Sequence, residues 1–154
     1  MAQPNRAIRP REMTTPRIPV FRRTRRIVPD DIDRLGHVNN VAWVRFIVEL
    51  AVAHSTALGL DERATRACGG IWVVRHHDVT YHRSAGPGDE VAEETWVSSM
   101  RGARSHRHAR FRNATGATLV ESVTEWAFVE PASQRPRRIP PEIAEHFDRV
   151  TDPH

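Results

Sequence analysis

A short polar stretch, from Asp31 to Asn40, groups side chains that could carry out acid–base chemistry. It reads Asp-Ile-Asp-Arg-Leu-Gly-His-Val-Asn-Asn, so two carboxylates, one imidazole and two side-chain amides lie within ten residues. A carboxylate such as Asp33 can attack a carbonyl carbon or activate a water molecule. Gly36 allows the chain to turn sharply and a ligand to approach the backbone. The same residue types are also common in ordinary loops, so composition alone leaves both interpretations open.

The residues that follow predict a long helix, which would position this stretch at its start. Asn39 or Asn40 can cap the first turn, and Gly59 can end the helix. Apolar residues recur at spacings of three and four and are expected to face a sheet: Val41, Val44, Val48, Ala51, Val52 and Leu58. The first turn of a helix offers free backbone N–H groups and a partial positive charge. A carbonyl oxygen that becomes an oxyanion can be stabilised there.

The remaining segments predict strands joined by short turns, which favours an antiparallel sheet. The predicted strands are 20–28 before the helix and 71–82, 90–100, 104–113 and 119–129 after it, with a short helix expected at 142–147. One long helix with about five antiparallel strands is an α+β design. Residues 1–16, rich in arginine and proline, predict a disordered tail, 17–147 one folded domain and 148–154 a C-terminal tail.

Composition limits the classes of function. The chain has 154 residues, and no apolar stretch approaches the ~20 residues needed to span a bilayer. The N-terminus lacks the apolar segment of a secretory signal, so we expect a cytoplasmic protein without a membrane partner. All 23 basic residues are arginine, which excludes a Schiff-base lysine, and the single Cys68 is expected to be buried. The net charge of +4 suits an anionic partner, either nucleic acid or a phosphate-bearing small molecule.

The stretch from Asp31 to Asn40 resembles the signature of the 4-hydroxybenzoyl-CoA thioesterase-like family, whose members are hotdog-fold acyl-CoA thioesterases. Residues 79–83 with Gly88 and Asp89 are similar to the family's Tyr-x-Arg and Gly-Asp stretch, and 119–129 with 137–140 to its final strand and tail. The likeness runs from about residue 17 to 147. It implies a five- to six-stranded antiparallel sheet wrapped around one long central helix. It also implies a homodimer or homotetramer with the active site at the subunit interface.

The resemblance implies hydrolysis of an acyl-CoA thioester to free acid and CoA, without a metal or other cofactor. Asp33 would be the nucleophile or the general base, the backbone N–H of Asn40 would polarise the thioester carbonyl, and His37 would orient the reacting groups. Arginine side chains bind phosphate well, and three lie near strand ends, so they are candidates to bind CoA. The expected substrate-binding residues are Gly36, Asn39, Trp43, Arg83, Arg101 and Arg104.

Several alternative functions compete with this interpretation. The related plant acyl-carrier-protein thioesterases carry a catalytic asparagine where this chain has Leu35, which weighs against a carrier-protein substrate. Hotdog hydratases hold Asp and His five residues apart with Asn-Pro between them, unlike Asp33 and His37. A non-catalytic acyl-CoA-binding module remains open, whereas a nucleic-acid binder is disfavoured because the basic run 22–26 has no interleaved aromatic residues. The histidines lack metal-ligand spacing, and Glu49 is expected to pair with Arg45.

Overall fold

One long helix and five strands form most of the computed structural model, which describes residues 17–153. The predicted tail 1–16 lies outside the described residues. The elements in chain order are β1 (Val20–Arg26), a 3-10 turn (Pro29–Asp31), α1 (Asn40–Ala57), α2 (Glu62–Ala67), β2 (Ile71–Tyr81), β3 (Glu90–Arg101), β4 (Arg104–Arg112), β5 (Thr118–Val129) and α3 (Pro141–Ala144). The predicted α+β class is therefore confirmed. The six-residue α2 was not predicted, because so short a helix has almost no periodicity to detect.

The five strands form a single antiparallel sheet in the order β1-β3-β4-β5-β2. Helix α1 packs on one face of this sheet. Trp43, Phe46 and Leu50 from the helix form one core cluster with Val91 and Phe111 from the strands. A second cluster lies beyond the end of α1 and closes the core there: Leu58, Leu60, Val97, Phe128, Ile139, Ile143 and Phe147. Cys68 is half-buried against this second cluster.

The predicted apolar stripe of α1 is confirmed only in part. Ala51 and Leu58 are buried as predicted, but the helix turns its larger side chains, not its valines, towards the sheet. Val41 is 75% exposed and Val52 is 55% exposed, whereas Phe46 and Leu50 are fully buried. At about 100° per residue, the stripe through Phe46 and Leu50 lies opposite the valine stripe. Both stripes have the correct spacing, and the side with the larger side chains removes more apolar surface from water. The helix is therefore apolar on two faces, one of which is open in the single chain.

The basic run of β1 lies against an acidic run in β3. Arg23 and Arg25 both pair with Glu93, whose side chain is fully buried. Arg22 pairs with Glu94 at 3.3 Å. These arginines have carboxylates beside them, so the run is not an open positive patch. Within residues 17–153, no helix is long and apolar enough to cross a membrane.

Candidate active site

The predicted catalytic stretch forms a tight turn between the 3-10 turn and α1. Ile32 and Val38 form an isolated antiparallel bridge, and within it the Asp33 N–H donates to the His37 carbonyl at 2.8 Å. The Gly36 N–H donates to the Asp33 carbonyl at 3.1 Å. Gly36 has a φ of +79°, in the left-handed region that other residues rarely adopt. A sharp turn at Gly36 was predicted from the sequence, and the residue is exposed at the tip of this turn.

The carboxylate of Asp33 is held by this turn. Its Oδ1 accepts hydrogen bonds from the Leu35 N–H at 2.8 Å and from the His37 N–H at 3.4 Å. Its Oδ2 has no hydrogen-bond partner among residues 17–153. Asp33 is half-buried, and the His37 side chain is exposed. One oxygen of the carboxylate is thus fixed by the backbone, while the other is free to meet a substrate or a water molecule.

Helix α1 begins directly after the turn. Asn39 is its N-cap, because its Oδ1 accepts a hydrogen bond from the Val41 N–H at 2.8 Å. Asn40 is the first helical residue, and its N–H makes no hydrogen bond within the described part of the chain. Such N–H groups are the positive end of the helix dipole. The structure therefore places a free donor and a fixed carboxylate in the same short segment.

Asp31 holds the turn in place, and it was not among the predicted site residues. Its side chain is buried, and it accepts hydrogen bonds from the Val28 N–H at 3.1 Å and from the Arg45 guanidinium. Its carbonyl accepts the Asn39 N–H at 2.8 Å. Asp31 thus joins the end of β1, the turn and α1. Fourteen residues separate it from Arg45, which is too far for helical spacing to reveal the pair.

Arg45 also pairs with Glu49 at 3.3 Å, so the predicted pair on the helix is confirmed. Glu49 pairs in addition with Arg25 of β1 at 2.7 Å. This network ties the first half of α1 to the edge of the sheet. It also explains Glu49 without a catalytic role.

The segment after β2 supports the turn from the other side. The Val38 N–H donates to the Ala85 carbonyl at 2.9 Å. A Cβ atom on Gly86 would lie 4.0 Å from the Gly36 carbonyl oxygen, so these two backbones run close together. The Gly86 N–H donates in turn to Asp89 Oδ2 at 2.8 Å. The segment predicted from its Gly-Asp pair therefore buttresses the candidate catalytic turn.

The predicted substrate-binding residues are not all close to the turn within one chain. Arg83 is exposed on the supporting segment. Arg101 and Arg104 are exposed on the β3–β4 hairpin, and β3 extends for 12 residues away from this segment, about 40 Å at ~3.4 Å per residue. Trp43 is only 2% exposed and packs edge-on against Phe111. Trp43 is thus part of the core, and its contact with a substrate stays a prediction.

Local side-chain hydrogen bonds engage three histidines of the strands: His77, His106 and His108. His77 Nδ1 lies 2.9 Å from Thr124 Oγ1, and His106 Nδ1 lies 2.9 Å from Ser99 Oγ. Burial, with the nearby His76, lowers the pKa of His77. In the described part of the chain, no group of three or more His, Cys, Asp or Glu side chains is arranged to hold a metal ion.

Comparison with known proteins identifies the family. A profile of the family "Acyl-ACP thioesterase N-terminal domain" matches residues 19–147. The chain belongs to this family. Membership confirms the predicted resemblance to hotdog-fold thioesterases and the assignment to the thioester hydrolases.

Individual relatives agree with this assignment. The chain is 27% identical over 128 residues to the acyl-CoA thioester hydrolase YbgC of Escherichia coli, covering 83% of this chain and 96% of YbgC. A Lactobacillus plantarum structure described as an oleoyl thioesterase superposes with a TM-score of 0.78 at 21% identity, and a Staphylococcus aureus protein in complex with CoA with 0.77 at 13% identity. The match covers 88% of this chain with the first and 87% with the second. The chain spans about half (54%) of the L. plantarum chain and 89% of the S. aureus chain. These likenesses confirm the predicted hotdog fold.

Proposed function

We propose that the chain hydrolyses acyl-CoA thioesters and that Asp33 is the catalytic carboxylate. This proposal rests on the hydrogen bonding of the Asp33 carboxylate. One oxygen accepts two backbone hydrogen bonds, and the other has no partner among residues 17–153. The carboxylate belongs to the turn that leads directly into α1, where the Asn40 N–H is also unbonded within the described residues. A nucleophile or base and an oxyanion donor are the two groups that acyl transfer needs.

The reaction uses these groups in a simple sequence. The Asp33 carboxylate attacks the thioester carbonyl carbon, or removes a proton from a water molecule that attacks it. The carbonyl oxygen gains negative charge and is stabilised by the Asn40 N–H and the helix dipole. The carbon–sulfur bond then breaks and CoA leaves as the thiolate, which takes up a proton. If water is the nucleophile, the free acid forms in this step; if Asp33 is the nucleophile, an acyl–Asp33 anhydride forms, and a water molecule hydrolyses it to the free acid and restores the carboxylate. The exposed side chains of His37 and Asn40 orient the water or the acyl group, and the side-chain amide of Asn39, whose Oδ1 accepts the Val41 N–H, offers its Nδ2 to the substrate.

Coenzyme A is favoured over a carrier protein as the thiol component. YbgC, an acyl-CoA thioester hydrolase, matches along 96% of its length, so its architecture is that of this chain. Leu35, where the plant carrier-protein enzymes have asparagine, is 72% exposed at the tip of the turn and offers no polar group. Arg83, Arg101 and Arg104 are exposed and can bind the phosphates of CoA.

A homodimer would bring Arg101 and Arg104 to the catalytic turn of the partner chain. Strand β2 lies at the edge of the sheet, has 11 residues without proline, and leaves backbone groups open for pairing. Its Ile71 end lies at the hairpin that carries Arg101 and Arg104, and its Tyr81 end leads to the segment that contacts the turn. Antiparallel pairing of two β2 strands about a two-fold axis therefore places the turn of one chain at the hairpin end of its partner.

The first test is a free-thiol release assay with short, long and aromatic acyl-CoAs, and with the same acyl groups on a carrier protein. We expect Asp33→Asn to fold and to lose about 100-fold or more in kcat, because a positioned base or nucleophile contributes this much. Asp30→Asn is the matched control, since Asp30 is an exposed carboxylate just before the turn. Full activity in Asp33→Asn would contradict the role proposed for it. If the carrier-protein substrates are turned over faster than the acyl-CoAs, the carrier protein and not CoA is the thiol component.

The composite site has its own test, which mixes two inactive variants. Asp33→Asn and the double variant Arg101→Gln/Arg104→Gln are unfolded together and refolded together. If the turn and the hairpin of different chains meet, half of the dimers are mixed and each has one native site, so about a quarter of the native activity returns. No recovery above the sum of the separate variants would contradict a site shared between chains.

A further inference from the structure

A cavity lies at the opposite end of α1 from the catalytic turn. It has a volume of about 290 Å³ and is walled by the second half of α1, by α2 and by the ends of β2, β4 and β5. Its wall is largely apolar and includes Val52, Leu60, Trp72 and Trp126. None of its lining residues belongs to the segment 31–40. The volume is near the lower limit for small-molecule pockets, roughly 300–1,000 Å³.

One charged side chain in this wall, Arg107 of β4, is deeply buried. It is 7% exposed, and its Nη1 lies 2.8 Å from His54 Nδ1 and 3.4 Å from Thr95 Oγ1. His54 Nε2 lies 2.8 Å from the Ile18 carbonyl and must donate to it, so Nδ1 is an acceptor and the ring is neutral. Phe147 lies under the guanidinium, with its ring centre 5.5 Å away. The hydrogen-bonding and stacking partners of this cation within residues 17–153 are thus uncharged.

The absence of a carboxylate beside Arg107 sets it apart from the other shielded arginines of the sheet. Arg23, Arg25 and Arg110 have side chains between 13% and 31% exposed, and each pairs with at least one carboxylate. Arg107 is more buried, yet no Asp or Glu oxygen of the described chain lies within 4.0 Å of it. Burial lowers the pKa of Arg107 to about 10, so the group is still charged at neutral pH. A buried cation without a counter-ion is costly unless a ligand supplies one.

We propose that this cavity binds a carboxylate with an apolar body, and that Arg107 is the receptor for its charged group. The hydrogen bonds of Arg107 within residues 17–153 all use Nη1, which leaves Nε and Nη2 for a paired contact with two carboxylate oxygens. The apolar wall takes the rest of the ligand. The acids at the rim do not neutralise the arginine. Asp61 caps α2 through the Ala64 N–H, and Glu62 pairs with Arg66 at 2.8 Å.

Two sources of such a carboxylate have the same chemistry. One is a free carboxylic acid of medium chain length, and the other is the far end of an acyl group that carries a second carboxylate. The first is independent of the proposed function. The second rests on it and on the proposed dimer, in which the turn of one chain lies at this end of α1 in the other. A binding measurement tests Arg107 without any turnover, and a kinetic measurement separates the two sources.

The binding test compares decanoate with decanol by titration calorimetry at fixed salt. We expect decanoate to bind the native protein about 10- to 100-fold more tightly than decanol, because a hydrogen-bonded ion pair is gained. Arg107→Met keeps the length and apolar stem of the side chain and should remove this preference. Arg112→Gln is the matched control, since Arg112 lies on the opposite face of β4, pairs with Glu94 and does not line the cavity.

Three results would overturn the proposal: equal affinity of the native protein for decanoate and decanol, binding of neither, or a preference that persists in Arg107→Met. If Arg107→Met fails to fold, the affinities of the native protein for decanoate and for decanol still test the proposal. In the kinetic arm, acyl-CoAs of equal length with and without a terminal carboxylate are compared. If the carboxylated substrate has the higher kcat/KM and Arg107→Met abolishes this difference, the site binds the end of the acyl group. If the protein binds decanoate but shows no such difference between substrates, the site binds a free acid.

Discussion

The buried histidine beside Arg107 makes the stability of the fold depend on pH. His54 is 1% exposed, and burial, together with the charge of Arg107, lowers its pKa from 6.5 to about 4. In the unfolded chain the pKa returns to about 6.5. Between these two values the unfolded state binds a proton that the folded state does not. The contribution of His54 to stability is therefore fully present above pH 6.5 and is lost as the pH falls towards 4.

The size of this effect follows from the two pKa values. The full difference is about 2.5 units, or roughly 3 kcal/mol at 1.36 kcal/mol per unit. About 2 kcal/mol of it is lost between pH 7.5 and pH 5.0, where the folded His54 is still mostly neutral. The assay is urea unfolding at the two pH values, for the native chain and for His54→Gln. We expect the native chain to lose about 2 kcal/mol more than the variant between the two conditions.

Subtracting the variant's pH dependence removes the contribution of the carboxylates, which titrate in both proteins. His37→Gln is the control, since the His37 side chain is exposed on the turn, at the opposite end of α1 from Arg107. An identical pH dependence in the native chain and in His54→Gln would refute the reasoning. It would mean that the folded protein accommodates a charged His54 next to Arg107.

Three further predictions concern the turn and the open face of α1. Asn39→Ala should lower the free energy of unfolding by about 1 kcal/mol in urea titration, because it removes the N-cap, while Asn39→Asp should retain most of it. Gly36→Ala should lower the free energy of unfolding by roughly 1 kcal/mol in the same assay, because an alanine is strained at a φ of +79° although the surrounding space is open. It should also lower kcat more than Asn39→Ala does. Val52→Glu, at a position 55% exposed on the outer face, should shift the sedimentation of a dimer towards the monomer if the partner covers this face. An unchanged dimer would place the interface elsewhere.

The conformation of the turn was predictable because it is local, whereas the structure that supports the turn is not local. Gly36, the N-cap and the start of α1 follow from neighbouring residues and were predicted from them. The buried face of α1 was predicted only in part, because two apolar stripes have the same spacing, and only packing against the sheet selects the one with Phe46 and Leu50. Likewise, the distance between the turn and Arg104 depends on strand order, which the sequence did not determine.

The support of the turn by Asp31 leads to a prediction that separates position from chemistry. Asp31→Asn keeps the shape of the side chain and an acceptor for the Val28 N–H but removes the charge that holds Arg45. Because Arg45 is 51% exposed, the expected loss of stability is small, about 1 kcal/mol. The turn carries Asp33 directly, so kcat should fall several-fold while KM changes little, and Arg45→Met should reproduce this pattern. If both variants keep the native kcat, the hydrogen bonds of the turn itself are sufficient to position the Asp33 carboxylate, and the anchor contributes only to folding.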